Sequence, residues 1–170
     1  MSIPYRRQLV ELAETLSAER QLLEQLLFKL VEARLILASD EARFVTQAIA
    51  EVDAVIARIR AGESLRTDRV ARLADAIGEP RSKVTLGHLA GWAPEPYRTM
   101  FEDHRDQFQR LTTEIEMAIL DNRRLASLAM DNVAASLGVL LGERPMAVYD
   151  ARGSRQERLY TGPTRIDEVL

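Results

Sequence analysis

Apolar residues recur at alternating three- and four-residue steps through the first forty positions. The series is Leu9, Leu12, Leu16, Leu23, Leu26, Leu30, Ala33 and Leu37, with Glu19 holding one place in it. This is the a/d seam of a coiled-coil helix. A helix cannot bury so narrow a stripe against itself. The partner helices must come from the same chain or from another protein. Aromatic residues make up only 5% of the sequence, and a core of Leu, Val, Ile and Ala suits a thin helical bundle better than a sandwich or an α/β sheet. The class expected is all-α: an elongated antiparallel helical bundle or coiled coil with two long helices, shorter helices between them and an irregular C-terminal tail.

Pro4 fits the first turn of a helix that the seam carries to Leu37, about 50 Å at 1.5 Å per residue. Leu22 and Leu27 flank the seam and widen it toward a second neighbour. Ser39-Asp40 offers a cap. A new series, Val45, Ile49, Val52, Ile56 and Ile59, starts there out of phase with the first. It reads as a turn and an antiparallel helix, against one continuous helix with a stutter. Gly62 reads as the end of that second helix. Thr67 or Asp68 then caps a short third helix through Val70, Leu73, Ala74 and Ile77, closed by Gly78 and Pro80. The stretch 78–96 is rich in Pro and Gly and turns the chain round, with a short helical piece from Ser82 to Gly91 inside it. Trp92, the single tryptophan, reads as a plug over the bundle end.

The last helix starts near Pro94 to Pro96 and runs to about Leu141, roughly 70 Å. Its seam is bulky at Tyr97, Phe101, His104, Phe108, Leu111 and Ile115. In the same phase it then turns mostly small or polar, at Ala118, Asn122, Leu125, Ala129, Asn132 and Ser136, while Leu128, Val133, Leu137, Leu140 and Leu141 lie on flanking rows. After Gly142 the helical period is lost. Val148-Tyr149 and Leu159-Tyr160 bracket Asp150 to Gly153, which allows a loose hairpin. The segment 142–170 reads rather as a flexible tail, leaving 1–141 as the helical domain.

Several function classes fall away. A net charge of −3 with both signs interspersed is not the basic footprint of a nucleic-acid binder. The chain has no cysteine, so disulfides and thiolate metal sites are out. No apolar run reaches the ~18–20 residues that span a bilayer. Arg6 and Arg7 have no apolar block behind them, so no secretory signal is expected and the expected location is the cytoplasm. A di-metal bundle needs Glu-x-x-His pairs, but His88 has Thr85 three places before it and His104 has Phe101. Nucleophile and phosphate-loop motifs are missing as well. No catalytic, cofactor-binding or metal residues are expected. What remains is surface for another helix. Asn at a seam position weakens a coiled coil and sets its register. Asn122 and Asn132, with Ala129 and Ser136, therefore leave the distal half of the last helix a poor permanent core. That half either packs on the first helix through small residues or forms a groove for a partner's amphipathic helix.

Five stretches carry a family resemblance. They are Leu22-Leu23-Glu24-Gln25-Leu26-Leu27, the Ala38-Ser39-Asp40 break before a second amphipathic helix, the Leu86 to Leu89 segment, Ile119-Leu120-Asp121-Asn122-Arg123-Arg124-Leu125, and Tyr149-Asp150-Ala151-Arg152-Gly153. In their order they resemble the FlgN family of flagellar export chaperones. The second helix departs from that pattern, with Val and Ile in place of much Leu, Glu and Lys. The resemblance implies a cytoplasmic protein without catalysis that binds the C-terminal helices of hook-associated junction proteins. It would prevent their premature assembly and deliver them to the type III export apparatus, at its gate or ATPase components. The client site expected on the last helix comprises Asn122, Leu125, Leu128, Ala129, Asn132, Val133, Ser136, Leu137, Leu140 and Leu141, extended by Val148 and Tyr149. The competing reading is a structural coiled-coil scaffold or adaptor that self-associates.

Overall fold

A computed structural model describes residues 4–39, 41–140, 145–149 and 155–159. Four α-helices follow one another: α1 (Arg6–Ala38), α2 (Ala42–Ile77), α3 (Leu86–Trp92) and α4 (Tyr97–Leu140). A 3-10 turn (Arg81–Lys83) precedes α3, and two short strands, β1 (Pro145–Tyr149) and β2 (Arg155–Leu159), follow α4. The chain divides into two compact units, residues 1–123 and 124–170, so α4 contributes to both. Each is described by itself.

In the first unit α1 and α2 form an antiparallel pair that turns between Ser39 and Glu41, so the break expected at 39–40 is a turn and not a stutter. Side-chain pairs fix their register. Glu11 meets Arg69, Glu19 meets Arg66 at 3.2 Å, Gln25 accepts from Arg58 at 2.8 Å, and Lys29 donates to Glu51. Partners fall in sequence as α1 rises, the mark of antiparallel packing. Between α1 and α4 both numbers rise together. Arg20 reaches Asp103 at 2.9 Å and Arg34 reaches Asp121 at 3.0 Å, so these two helices run parallel. Exposed pairs of this kind contribute about 0–1 kcal/mol each; they select the register more than they hold the bundle.

The Leu seam supplies the core. Toward one end Leu9, Leu12, Ala13 and Leu16 close on Leu73 and Ala74 of α2, on Val84, Leu89, Ala90 and Ala93, and on Tyr97 and Phe101 of α4. Further along, Leu26 and Leu30 meet Val55, Ile115 and Ala118. Glu19, the one acid in the seam, keeps 15% of its side-chain surface exposed and faces Arg66. Burial raises its carboxyl above the ordinary range, with the Arg66 guanidinium opposing. Trp92 stacks on Tyr5 at 5.3 Å and on His88 at 5.9 Å between ring centroids.

The helix end expected at Gly62 is absent. α2 runs unbroken to Ile77, and Gly78, at φ 72°, closes it in the left-handed conformation. A glycine inside a helix costs only about 1 kcal/mol. Packing of Val55 on one side and Leu73 and Ala74 on the other against α1 outweighs it. Thr67 caps nothing, because its hydroxyl donates back to the Glu63 carbonyl at 2.8 Å, as mid-helix threonines do. Thr85, not Ser82, caps the short helix, accepting from the His88 N–H at 3.2 Å. A Cβ on Gly62 meets no atom within 4 Å. Gly62→Ala is therefore expected to stabilise the protein by about 0.5–1 kcal/mol, read as a higher urea midpoint.

In the second unit β1 and β2 pair antiparallel, with Val148 opposite Gln156 and Tyr149 opposite Arg155.

Candidate functional site

Along α4 the seam changes from covered to bare. Tyr97, Phe101, His104, Leu111, Ile115 and Ala118 are buried, Asn122 and Leu125 are half-buried, and Ala129, Asn132 and Ser136 are exposed. Asn122 marks the last tie to α1: its Nδ2 donates to the Leu30 carbonyl at 2.9 Å. Of the residues expected to hold a partner, Asn122 is thus engaged within the first unit.

The helical part of the second unit, from Arg124 to Leu140, presents apolar side chains to solvent. Met130, Val133, Leu137 and Leu140 are 69%, 60%, 51% and 81% exposed. With Ala126 they follow one another at steps of four and three, which is a heptad seam in its own right. It stands one residue out of phase with the series that ends Leu125, Ala129, Asn132, Ser136. At 100° per residue these five fall on a strip about 80° wide. Ala129 borders the strip, and Asn132 and Ser136 lie beyond it on the same side. Ser136 donates back to the Asn132 carbonyl at 2.8 Å. Leu128, also exposed, lies beyond Asn132. Continuing the first seam by phase misses Ala126 and Met130; the 4-3-4-3 spacing finds them. Leu141 lies outside the described residues, and Val148 and Tyr149 sit on β1.

His104 is the other polar residue at a seam position. It is buried, with Nε2 3.3 Å from Ser17 Oγ. Ser17 donates its own proton to the Ala13 carbonyl at 2.9 Å, so the imidazole does not activate it as a nucleophile. The network assigns the ring proton to Nε2 and leaves Nδ1 buried without a partner. Burial first, then the Arg20 guanidinium, hold its pKa below the usual histidine value; Asp103 opposes more weakly. Unfolded histidine takes up its proton near pH ~6.5, the native ring only at lower pH. Stability is therefore expected to fall as pH drops from about 6.5 through the native pKa. Glu19 acts in the opposite sense, since acid relieves its buried charge. Urea midpoints at pH 7.5 and 5, compared between the parent and His104→Gln, isolate the histidine's share: the loss should be smaller in the variant.

Among the described residues no group of three His, Asp or Glu is placed to hold a metal ion, and no helix is long and apolar enough to cross a membrane. A family model described as FlgN protein matches residues 1–157. The chain belongs to the FlgN family. No curated protein and no solved structure matches it. The FlgN match takes in all four helices and β1. FlgN proteins are flagellar export chaperones, and this FlgN chain carries exposed apolar side chains at heptad spacing, Met130, Val133, Leu137 and Leu140.

Proposed function

We propose that this protein is a cytoplasmic chaperone that holds the C-terminal helical segments of hook-associated junction proteins and delivers them to the flagellar export apparatus, at its gate or ATPase components. The observation that carries this reading is the uncovered seam of Met130, Val133, Leu137 and Leu140. A segment that forms a coiled coil only on assembly has its apolar stripe exposed beforehand. A helix with a matching stripe covers it by the helix-in-groove mode. Burial contributes about 25 cal/mol per Å², less the cost of ordering the client. The proposed surface runs from Leu125 to Leu141 and takes in Val148 and Tyr149. Asn132 and Ser136 beside the seam keep the affinity moderate, as release at the export gate requires.

The test is calorimetric titration of a junction protein's C-terminal peptide into the full chain and into Leu137→Asp. Equal affinities would remove the reading. Light scattering separates the scaffold alternative: a stable dimer indifferent to the peptide would make self-association the function of this face. Filling the polar flank should act in the other direction. Asn132→Leu is expected to tighten peptide binding about tenfold, chiefly through slower dissociation.

A further inference from the structure

Helices of the first unit find one another through charge as well as apolar contact. In or beside its seam α1 carries Glu11, Glu19, Arg20, Lys29 and Arg34, and each meets an opposite charge on α2 or α4. The helical part of the second unit is not equipped in this way. From Arg124 to Leu140 the sequence holds two charges, Arg124 and Asp131. At 100° per residue both lie about 140–160° from the centre of the Ala126 to Leu140 strip, on the far side of the helix. Arg123, one step before Ala126, bounds the strip at its start. Coiled coils carry the Glu and Lys that set partner choice at the e and g positions, next to the seam. With Met130 and Leu137 at a and Ala126, Val133 and Leu140 at d, the e positions hold Ser127 and Ala134 and the g positions Ala129 and Ser136, all exposed. The Ser136 hydroxyl is already bonded to the Asn132 carbonyl at 2.8 Å, so a cover over it strands no donor.

Three kinds of flank on a covering helix fare differently against such a face. Charged flanks lose water over Ser and Ala and gain no counter-charge in return. Small flanks leave gaps, and the atoms lining a gap forfeit their dispersion contacts. Large apolar flanks fill the room that the four small side chains leave. We infer that the distal face of α4 selects its client by side-chain bulk and not by charge, so that the client helix carries large apolar residues at its e and g positions as well as at a and d. The inference rests on the client reading and adds to it the width and chemistry of the client's stripe. It also sets the response to salt: with no ion pair to screen, affinity is nearly independent of ionic strength.

The test is calorimetric titration into the full chain, into Leu137→Asp and into the double variant Ala129→Leu, Ala134→Leu. The probes are helical peptides with Leu at a and d whose e and g positions are all Leu, all Ala, all Glu or all Lys. Their b, c and f residues hold the net charge at zero. A junction protein's C-terminal peptide is the reference. On the parent the Leu-flanked peptide is expected to bind about tenfold more tightly than each of the others. The Glu and Lys peptides should agree within about threefold, and the reference affinity should move by less than about threefold when NaCl rises from about 50 to about 500 mM. In the double variant the Leu-flanked peptide should lose about tenfold through overpacking while the Ala-flanked peptide gains, an exchange that the general stickiness of a leucine-rich peptide does not produce. Both substituted positions are exposed, so thermal melts should match the parent. A Glu–Lys difference or a salt effect above about threefold, or a double variant that binds the Leu-flanked peptide as tightly as the parent does, would overturn the inference and leave the client reading standing. A reference peptide indifferent to Leu137→Asp would instead remove the client reading, and this inference with it.

Discussion

Phe101→Ala is expected to cost the helical bundle about 3–5 kcal/mol. Phe101 has no exposed surface and is the largest fully buried side chain in the described protein. It sits where α4 meets the first turns of α1, within the cluster that also holds Leu9, Leu12, Leu73 and Leu89. The other rings of this cluster, Tyr97, Tyr5 and Phe108, are already packed in it, so filling the vacated space from them would open a gap elsewhere. Domains are typically stable by only about 5–15 kcal/mol, so this one truncation removes a large share of the margin. Urea unfolding measures it directly. Phe28→Ala is the matched control: the same deletion at a position 64% exposed should change stability by no more than about 0.5 kcal/mol. Similar midpoints for both variants would mean that the α1–α4 contact is not the core.

Leu137→Asp should show the reverse pattern, with stability within about 0.5 kcal/mol of the parent and client binding down by two to three orders of magnitude. The side chain is half exposed, so the free protein loses little. On the proposed face a partner helix would cover it. The variant then forgoes about 1.5–3 kcal/mol of leucine burial and must also dehydrate a carboxylate, at a further ~1–3 kcal/mol. Together these come to about 2.5–6 kcal/mol, a range that starts near the ~2.8 kcal/mol corresponding to a hundredfold in Kd. The two variants therefore dissociate folding from binding: one loses the bundle, the other loses only the partner. A Leu137→Asp protein that binds the peptide as tightly as the parent would remove this face as the client site.

The sequence reveals most of this where side chains obey one period and one neighbour decides their fate. The α1 seam is legible because Leu9 to Leu30 face α2 and α4 along the helix, and even Glu19 keeps its phase by meeting Arg66. Gly62 misleads because its helix penalty is local, whereas the stabilisation of α2 comes from Val55 and Leu73 pressing on α1, which no window of sequence around Gly62 contains. Met130 and Ala126 escape for a different reason. A seam followed by phase from Phe101 arrives at Asn132 and Ser136, but the exposed apolar strip has stepped one residue to the side. Periodicity locates a stripe; it does not tell which of two adjacent stripes has lost its cover. Asn122 shows the same limit. Its amide reads as a weak point in a seam, yet its donor ends on the Leu30 carbonyl and helps hold α4 to α1.

The parallel run of α1 and α4 also governs how the chain meets the ribosome. Asn122 and its partner Leu30 are 92 residues apart in sequence, and the Tyr97–Arg6 contact spans 91. At roughly 5–20 residues per second, the α1 seam emerges about 5–18 s before the residues that finish covering it. α2 follows at once and shields one side by antiparallel pairing. Until α4 arrives, the seam from Leu9 to Leu30 is an open heptad stripe. For those seconds the nascent protein has the same problem as the clients it is proposed to hold.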